Sequence, residues 1–92
     1  MTDFLVSYDL RNESGSQDYK PLWDELKRLN AHRVQESVWL VNLNNTAKEV
    51  TEHFKAYMDG DDRILVCEFT RKHYFFNAMS GTNNWLTANQ PA

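Results

Sequence analysis

The residue with the clearest potential for chemistry is Asp9, which lies where an apolar segment, residues 4–9, gives way to a polar one. Alternating apolar side chains in residues 4–9 predict a β-strand, and ligands of α/β folds gather at the carboxyl ends of strands. A carboxylate there can hold Mg²⁺ or Mn²⁺, which prefer oxygen ligands. A tight site needs further oxygens, from Ser7 on the same strand face, from backbone carbonyls, from water or from the partner subunit's Asp9. The alternative is that Asp9 caps the loop that follows it.

Three cations are candidates for contacting nucleic acid: Arg33, Arg71 and Lys72. The last two precede the aromatic residues 74–76, and cations interleaved with aromatic rings can neutralise phosphates and stack bases. The competing interpretation is that these aromatics pack in the core or against a partner. The net charge of −3, with a pI near 5.5, does not favour nucleic-acid binding by the surface as a whole.

The remaining candidate residues predict structure rather than catalysis. The three histidines are about twenty residues apart and lack the spacing of metal ligands. Cys67 alternates within an apolar strand, which favours core packing. The acidic run at residues 59–62 lacks the later ligands of a calcium loop and predicts a turn.

Length and composition limit the class of protein. The chain has 92 residues, enough for one small domain, and ordinary apolar and charged contents. A single cysteine favours a reducing compartment. No secretory leader is visible, and the longest apolar runs are about four residues, against roughly 20 for a membrane span. We therefore expect a soluble cytoplasmic protein.

Apolar periodicity predicts the elements that position these residues. A helix with an Asp18 N-cap follows the first strand and ends at Asn30. Residues 32–43 predict two short strands or one long bent strand, with the break near residues 36–37. A capping box at Thr46 and Glu49 starts a second helix that stops at Gly60, and residues 63–69 form the next strand. Beyond it we expect a further strand and a short helix at residues 83–89.

This order predicts an α+β, ferredoxin-like βαββαβ fold, with two helices on one face of a four-stranded antiparallel sheet. Residues 1–70 would form that domain and residues 71–92 a C-terminal extension. The second face of the sheet then lacks a cover, which predicts a homodimer. Phe75 and Trp85 of the extension are candidates for contacting the second subunit or another protein.

Two segments resemble the CRISPR-associated protein two family. They are residues 6–10, VSYDL, and residues 33–39, RVQESVW, which closely resembles that family's Arg-Val-Gln-x-Ser-Val-Phe signature. An acidic turn followed by an Arg-aliphatic strand, residues 61–66, also fits. The resemblance covers residues 4–69 and extends to small bacterial and phage proteins related to that family.

The resemblance implies a ferredoxin-like homodimer, similar in fold to the virulence-associated protein D ribonucleases. It also implies Mg²⁺-dependent nuclease activity, with Asp9 as the catalytic, metal-binding residue of both subunits and the ion bridged between them. By the resemblance, Arg33, Ser37 and Trp39 occupy signature positions near the dimer groove. Ser7, on the strand face of Asp9, is a further candidate for the groove.

Three functions follow from these observations. The first is a metal-dependent endonuclease acting on RNA or DNA. The second is a non-catalytic module that keeps the dimer and binds another protein through its aromatic C-terminal extension. The third is a scaffold that binds nucleic acid without cutting it.

Overall fold

The computed structural model describes residues 1–9 and 19–92, which form four strands and three helices in the order β-α-β-β-α-β-α. The elements are β1 (Thr2–Asp9), α1 (Lys20–Arg28), β2 (His32–Gln35), β3 (Val38–Leu43), α2 (Ala47–Lys55), β4 (Arg63–Glu68) and α3 (Thr82–Ala88). The ferredoxin-like βαββαβ prediction is confirmed, as is the break between β2 and β3 at residues 36–37.

The four strands form one sheet in the order β2-β3-β1-β4, and each neighbouring pair is antiparallel. β1 is central: Val6 pairs with Trp39 of β3 on one side and with Val66 of β4 on the other. The helices α1 and α2 each connect two strands that have a third strand between them. β1, which carries Asp9, is therefore held along both edges.

The core lies between the helices and one face of the sheet. Phe4, Val6 and Tyr8 point into it from β1 because alternate residues of a strand share a face. The helices contribute residues four apart, Leu22 and Leu26 from α1 and Val50 and Phe54 from α2. Full burial of each such side chain stabilises the fold by roughly 1.5–3 kcal/mol.

The helix ends agree in part with the sequence signals. The Glu49 amide donates to Thr46 Oγ1 (3.1 Å) and the Thr46 amide donates to Glu49 Oε1 (2.9 Å), which confirms the capping box. Asn30 has a left-handed φ of 59° just after α1, also as predicted. The predicted stop at Gly60 was wrong, because α2 ends at Lys55 and Gly60 lies in the turn before β4. The predicted cap Asp18 lies outside the described residues.

The C-terminal segment, residues 70–92, packs on part of the second face of the sheet. His32 of β2 pairs with Leu40 of β3, so both side chains lie on that face. His32 Nε2 contacts Thr82 Oγ1 of α3 at 2.8 Å, and Trp85 Nε1 donates to the Asn30 carbonyl at 2.8 Å. Leu40 is consequently buried, although the sequence predicted that this side of the middle strands would be open in a monomer.

The part of the second face along β4 is open. Leu65 is 60% exposed, and Cys67 is exposed as well. The prediction that Cys67 packs in the core was wrong, because β4 is an edge strand whose second face has no cover within the described chain. The prediction of a further strand after β4 was wrong, because residues 69–81 contain no strand and cross to the second face of the sheet as a loop. The short helix that follows begins at Thr82. Among the described residues, no helix is long and apolar enough to cross a membrane.

Candidate functional site

Asp9 lies at the carboxyl end of β1, directly opposite Arg63, the first residue of β4. Arg63 Nη1 and Asp9 Oδ2 are 3.4 Å apart, and both side chains are largely exposed. An exposed ion pair of this kind contributes at most about 1 kcal/mol. The Asp9 carboxylate is therefore open to solvent and can exchange its partner for a cation.

An acidic turn leads into β4 and so lies at the same end of the sheet as Asp9. Carboxylate oxygens of Asp59, Asp61 and Asp62 lie within 4.8 Å of one another. The Asp59 amide donates to Asp62 Oδ2 at 2.7 Å, so one of these carboxylates stabilises the turn that the sequence predicted. The acidic turn adds negative charge close to Asp9 and Arg63.

Tyr8, the residue before Asp9, is fixed by two tryptophans. Trp23 Nε1 donates to the Tyr8 hydroxyl oxygen at 2.7 Å, and Trp39 Nε1 donates to the same oxygen at 3.3 Å. An indole N–H can only donate, so the hydroxyl oxygen satisfies both groups as an acceptor. We call Tyr8, Trp23 and Trp39 the Tyr8 triad. The Tyr8 amide also donates to the Ser37 carbonyl at 3.2 Å, which ties the end of β1 to the β2–β3 turn.

Arg33, the second residue of β2, binds across the turn between β2 and β3. Its Nε and Nη2 both donate to the Glu36 carbonyl, at 3.0 and 2.6 Å. Its guanidinium lies over the Trp23 ring, 4.7 Å from the centroid, as in a cation–π contact. Arg33 therefore organises the backbone next to Asp9.

The structure brings one group of candidates together and separates another. Ser7, Asp9, Arg33, Ser37 and Trp39 lie at one end of the sheet but not on one face. Ser7 and Asp9 lie on the second face, whereas Trp39 is buried in the core and Arg33 lies over Trp23 on the helix face. Arg71 and Lys72 follow β4 at the opposite end, where the Phe69 amide donates to the Asp3 carbonyl. The six-residue separation between Asp3 and Asp9 spans roughly 20 Å of strand. The three candidate cations do not form one patch.

The C-terminal candidates contact their own chain. Arg71 Nε donates to the Pro91 carbonyl at 3.0 Å, and the Arg71 amide donates to Ala92. Trp85 is held by its bond to Asn30, and the half-buried Phe75 ring is stacked 6.3 Å from His73. These contacts hold residues 70–92 against the sheet.

Sequence reasoning missed Tyr8 and Trp23 as parts of the site. Tyr8 lies within the motif VSYDL and on the apolar face of the first strand, and Trp23 lies on the apolar side of α1. Apolar periodicity alone assigns both of them to packing. The available signal was chemical, since a buried indole N–H or tyrosine hydroxyl usually finds a hydrogen-bond partner.

A second cluster of charged groups joins α1 to α2. Glu25, which is buried, accepts two hydrogen bonds of 2.7 Å from Arg28, and His53 Nε2 lies 2.5 Å from Glu25 Oε2. The hydrogen bonds from Arg28, aided by His53 and opposed by burial, lower the pKa of Glu25 to about 2. Glu25 is already bound by Arg28 and His53 of the same chain, so we infer that this cluster stabilises the packing of α1 against α2.

The resemblance noted in the sequence is supported by a family comparison. The family model described as CRISPR associated protein Cas2 matches residues 1–76, most of the chain. The matched region contains all four strands, Asp9, the Tyr8 triad and the first part of the C-terminal segment. The chain belongs to the CRISPR-associated Cas2 family.

Proposed function

We propose that two copies of this chain form a homodimer that cleaves phosphodiester bonds of RNA or DNA with Mg²⁺ held by Asp9 of each subunit. The observation that carries the proposal is the place of Asp9: an exposed carboxylate at the end of the central strand β1. The backbone beside it is fixed by the Tyr8 triad and by Ser37. Family membership supports the same assignment.

The donor set of this site fits a hard cation. Asp9 offers carboxylate oxygens, and Ser7, two residues earlier on the same strand face, adds a hydroxyl. When bound, Mg²⁺ supplies charge that polarises the phosphodiester and lowers the pKa of a coordinated water. Two Asp9 carboxylates brought close together would repel each other without a cation, so dimerisation and cation binding support each other.

Arg63 has a defined part in this proposal. Its guanidinium lies 3.4 Å from Asp9 and competes with a cation for the carboxylate. Because the Arg63 side chain is exposed, it can leave the pair at little cost. Once released, it is close enough to Asp9 to contact a phosphate oxygen of a bound strand.

The open part of the second sheet face is the proposed dimer surface. Asp9, Leu65 and Cys67 share this face with Leu5 and Ser7, because residues paired across strands point the same way. A two-fold axis near the Asp9 end would bring the two carboxylates together while covering Leu65. Part of the face is already covered by the C-terminal segment, so the surface follows β1 and β4.

Nucleic-acid contacts complete the proposal. Arg33 lies at the Asp9 end but on the helix face, whereas Arg71 and Lys72 lie at the opposite end of the sheet. A strand that contacts both ends would pass along the protein rather than across a single patch. Each phosphate that such cations neutralise makes binding more sensitive to salt.

The experiment is cleavage of labelled single- and double-stranded RNA and DNA in Mg²⁺, Mn²⁺ or chelator. Wild type is compared with Asp9→Asn, and Asp24→Asn is the matched control because it removes another exposed carboxylate. Light scattering and circular dichroism establish that each variant is a folded dimer. We expect metal-dependent cleavage that falls at least a hundredfold in Asp9→Asn and is unchanged in Asp24→Asn.

Two results would overturn the proposal. Equal cleavage by Asp9→Asn and wild type would remove Asp9 from the catalytic site. Absence of cleavage by wild type on all four substrates would favour the non-catalytic interaction module, which needs neither Asp9 nor a cation.

A further inference from the structure

Charge is divided unevenly along the chain. All 13 Asp and Glu residues lie in residues 1–69, whereas the C-terminal segment carries Arg71 and Lys72 and no acidic side chain. An acidic protein therefore ends in a segment whose side chains offer only positive charge. The net charge of −3 for the whole chain does not reveal the local excess of positive charge in residues 70–92.

The same segment presents two aromatic rings to solvent. Tyr74 is 95% exposed and Phe76 is 84% exposed. Phe75, between them, and His73, before them, are half-buried; the His73 ring is stacked with Phe75 and lies tilted against Phe69. The inner rings anchor the segment to the end of the sheet, so that the outer rings are held away from it.

We propose that Tyr74 and Phe76, together with the neighbouring cations Arg71 and Lys72, form a stacking site for unpaired bases of single-stranded nucleic acid. Aromatic rings stack on the flat faces of bases, while cations neutralise the phosphates that join them. Bases in a duplex have both faces covered, so the site selects single strands. This inference rests on the proposed function for the class of ligand but not on Asp9.

Local charge favours this ligand over a protein partner. Protein interfaces bury aromatic residues as well, but they do not require a segment without acids. A polyanion does, because a carboxylate beside the rings would repel its phosphates. The exposed rings and the absence of acidic side chains from residues 70–92 are two independent observations that fit the same ligand.

The site lies at the other end of the sheet from Asp9. Arg71 follows β4 next to the start of β1, roughly 20 Å of strand from Asp9. A strand held here is therefore bound away from the proposed catalytic carboxylate, and binding can be measured separately from cleavage.

The test is fluorescence anisotropy with the full chain in chelator, which prevents metal-dependent cleavage. The probes are a labelled 15-nucleotide single-stranded RNA, the same sequence as DNA, and the corresponding DNA duplex. Variants are Tyr74→Ala and Phe76→Ala, with Tyr74→Phe and Phe76→Tyr as ring-preserving counterparts. Tyr57→Ala, which removes an exposed aromatic ring elsewhere, is the matched control.

We expect each alanine variant to weaken single-strand binding roughly 5- to 150-fold, the range for loss of one stacked base. The ring-preserving variants and Tyr57→Ala should bind like wild type, and duplex affinity should not depend on the rings. In Lys72→Gln, the slope of log affinity against log salt should fall by about 0.7, as for one phosphate contact on a single strand.

Equal single-strand affinity in wild type and both alanine variants would overturn the inference and leave a protein partner as the explanation for the exposed rings. An equal loss on duplex and single strand would overturn the selectivity. Ring-dependent binding in a protein that does not cleave would sustain this site while the proposed function fails. Cleavage by a protein whose single-strand binding does not depend on the rings would sustain the proposed function while this site fails.

Discussion

Replacing Tyr8 by Phe removes one oxygen atom and should destabilise the protein far more than that change suggests. The hydroxyl accepts from Trp23 Nε1 and Trp39 Nε1, at 2.7 and 3.3 Å. Phe keeps the ring and its packing, so no cavity forms beyond the lost hydroxyl. The substitution therefore removes both hydrogen bonds of the Tyr8 triad, together with the long 3.5 Å bond that the hydroxyl donates to the Glu36 carbonyl. That carbonyl keeps its two bonds from Arg33, so the cost comes mainly from the two indole N–H groups.

The magnitude follows from the burial of the two donors. Trp39 is buried, so its N–H loses its partner without gaining water, at a cost of about 1–3 kcal/mol. Trp23 is half-buried and can regain water, so its bond contributes about 0.5–1.5 kcal/mol. We expect Tyr8→Phe to lower the free energy of unfolding by about 2–4 kcal/mol, a large part of the 5–15 kcal/mol typical of a folded domain.

The assay is urea unfolding followed by far-ultraviolet circular dichroism, which does not depend on tryptophan emission. The midpoint should fall while the urea dependence stays constant, because the surface exposed on unfolding is the same. Tyr57→Phe, at an exposed tyrosine, should change stability by less than about 0.5 kcal/mol. A double-mutant cycle with Trp39→Phe should give a coupling of about 1 kcal/mol or more, since Trp39 without its N–H no longer needs the hydroxyl. A cost of less than about 0.5 kcal/mol for Tyr8→Phe, or no coupling, would refute the argument.

Two further predictions concern the helices. Thr46→Ala removes the hydroxyl that accepts from Glu49, and it should cost about 1 kcal/mol in urea unfolding; a midpoint equal to that of Asn44→Ala in the neighbouring turn would contradict this. Acid unfolding should depend on Glu25, because its native pKa of about 2 lies below the ordinary 4.5 and protons therefore bind the unfolded chain more readily. The lowered pKa corresponds to a stabilisation of about 1–2 kcal/mol, after a discount because the partner Arg28 is exposed to solvent. This stabilisation is fully present above pH 4.5 and is lost as the pH falls towards 2. Glu25→Gln should flatten the stability profile in that interval, and an unchanged profile would exclude Glu25 as its source.

The fold was predictable because its signals are local. The spacing of Leu22 and Leu26 on one helix and of Val50 and Phe54 on the next defines two apolar stripes. The Thr46 capping box and the left-handed Asn30 mark helix ends within a few residues. Once the order of elements is known, the rules for crossovers leave few arrangements of four strands.

The wrong predictions arose where the same local sequence pattern occurs in both buried and exposed positions, or in both helix ends and turns. Cys67 alternates as a core residue would, but β4 lies at the edge of the sheet, and an edge strand can leave one face open. Gly60 resembles a helix stop, but α2 had already ended one turn earlier. The packing of Trp85 against Asn30 joins residues 55 positions apart, and no local pattern encodes such a contact.

The motif around residues 33–39 has a physical explanation in this structure. Arg33 donates to the Glu36 carbonyl, the backbone carbonyl of Ser37 accepts from the Tyr8 amide, and Trp39 donates to the Tyr8 hydroxyl. Each contact fixes the turn between β2 and β3 against the end of β1, where Asp9 begins to face solvent. The motif thus fixes the backbone and the side chain of Tyr8, the residue that precedes Asp9.

The tryptophan at position 39 fits the same account. A Phe at this place, as in the signature that the segment resembles, would fill the core without an N–H group. Trp39 adds a buried donor, which requires an acceptor nearby, and Tyr8 provides it. The ring at position 39 and the hydroxyl at position 8 therefore depend on each other, and the second indole, from Trp23, joins α1 to the same oxygen. One hydroxyl group thus links the helix layer, β3 and the strand that ends in Asp9.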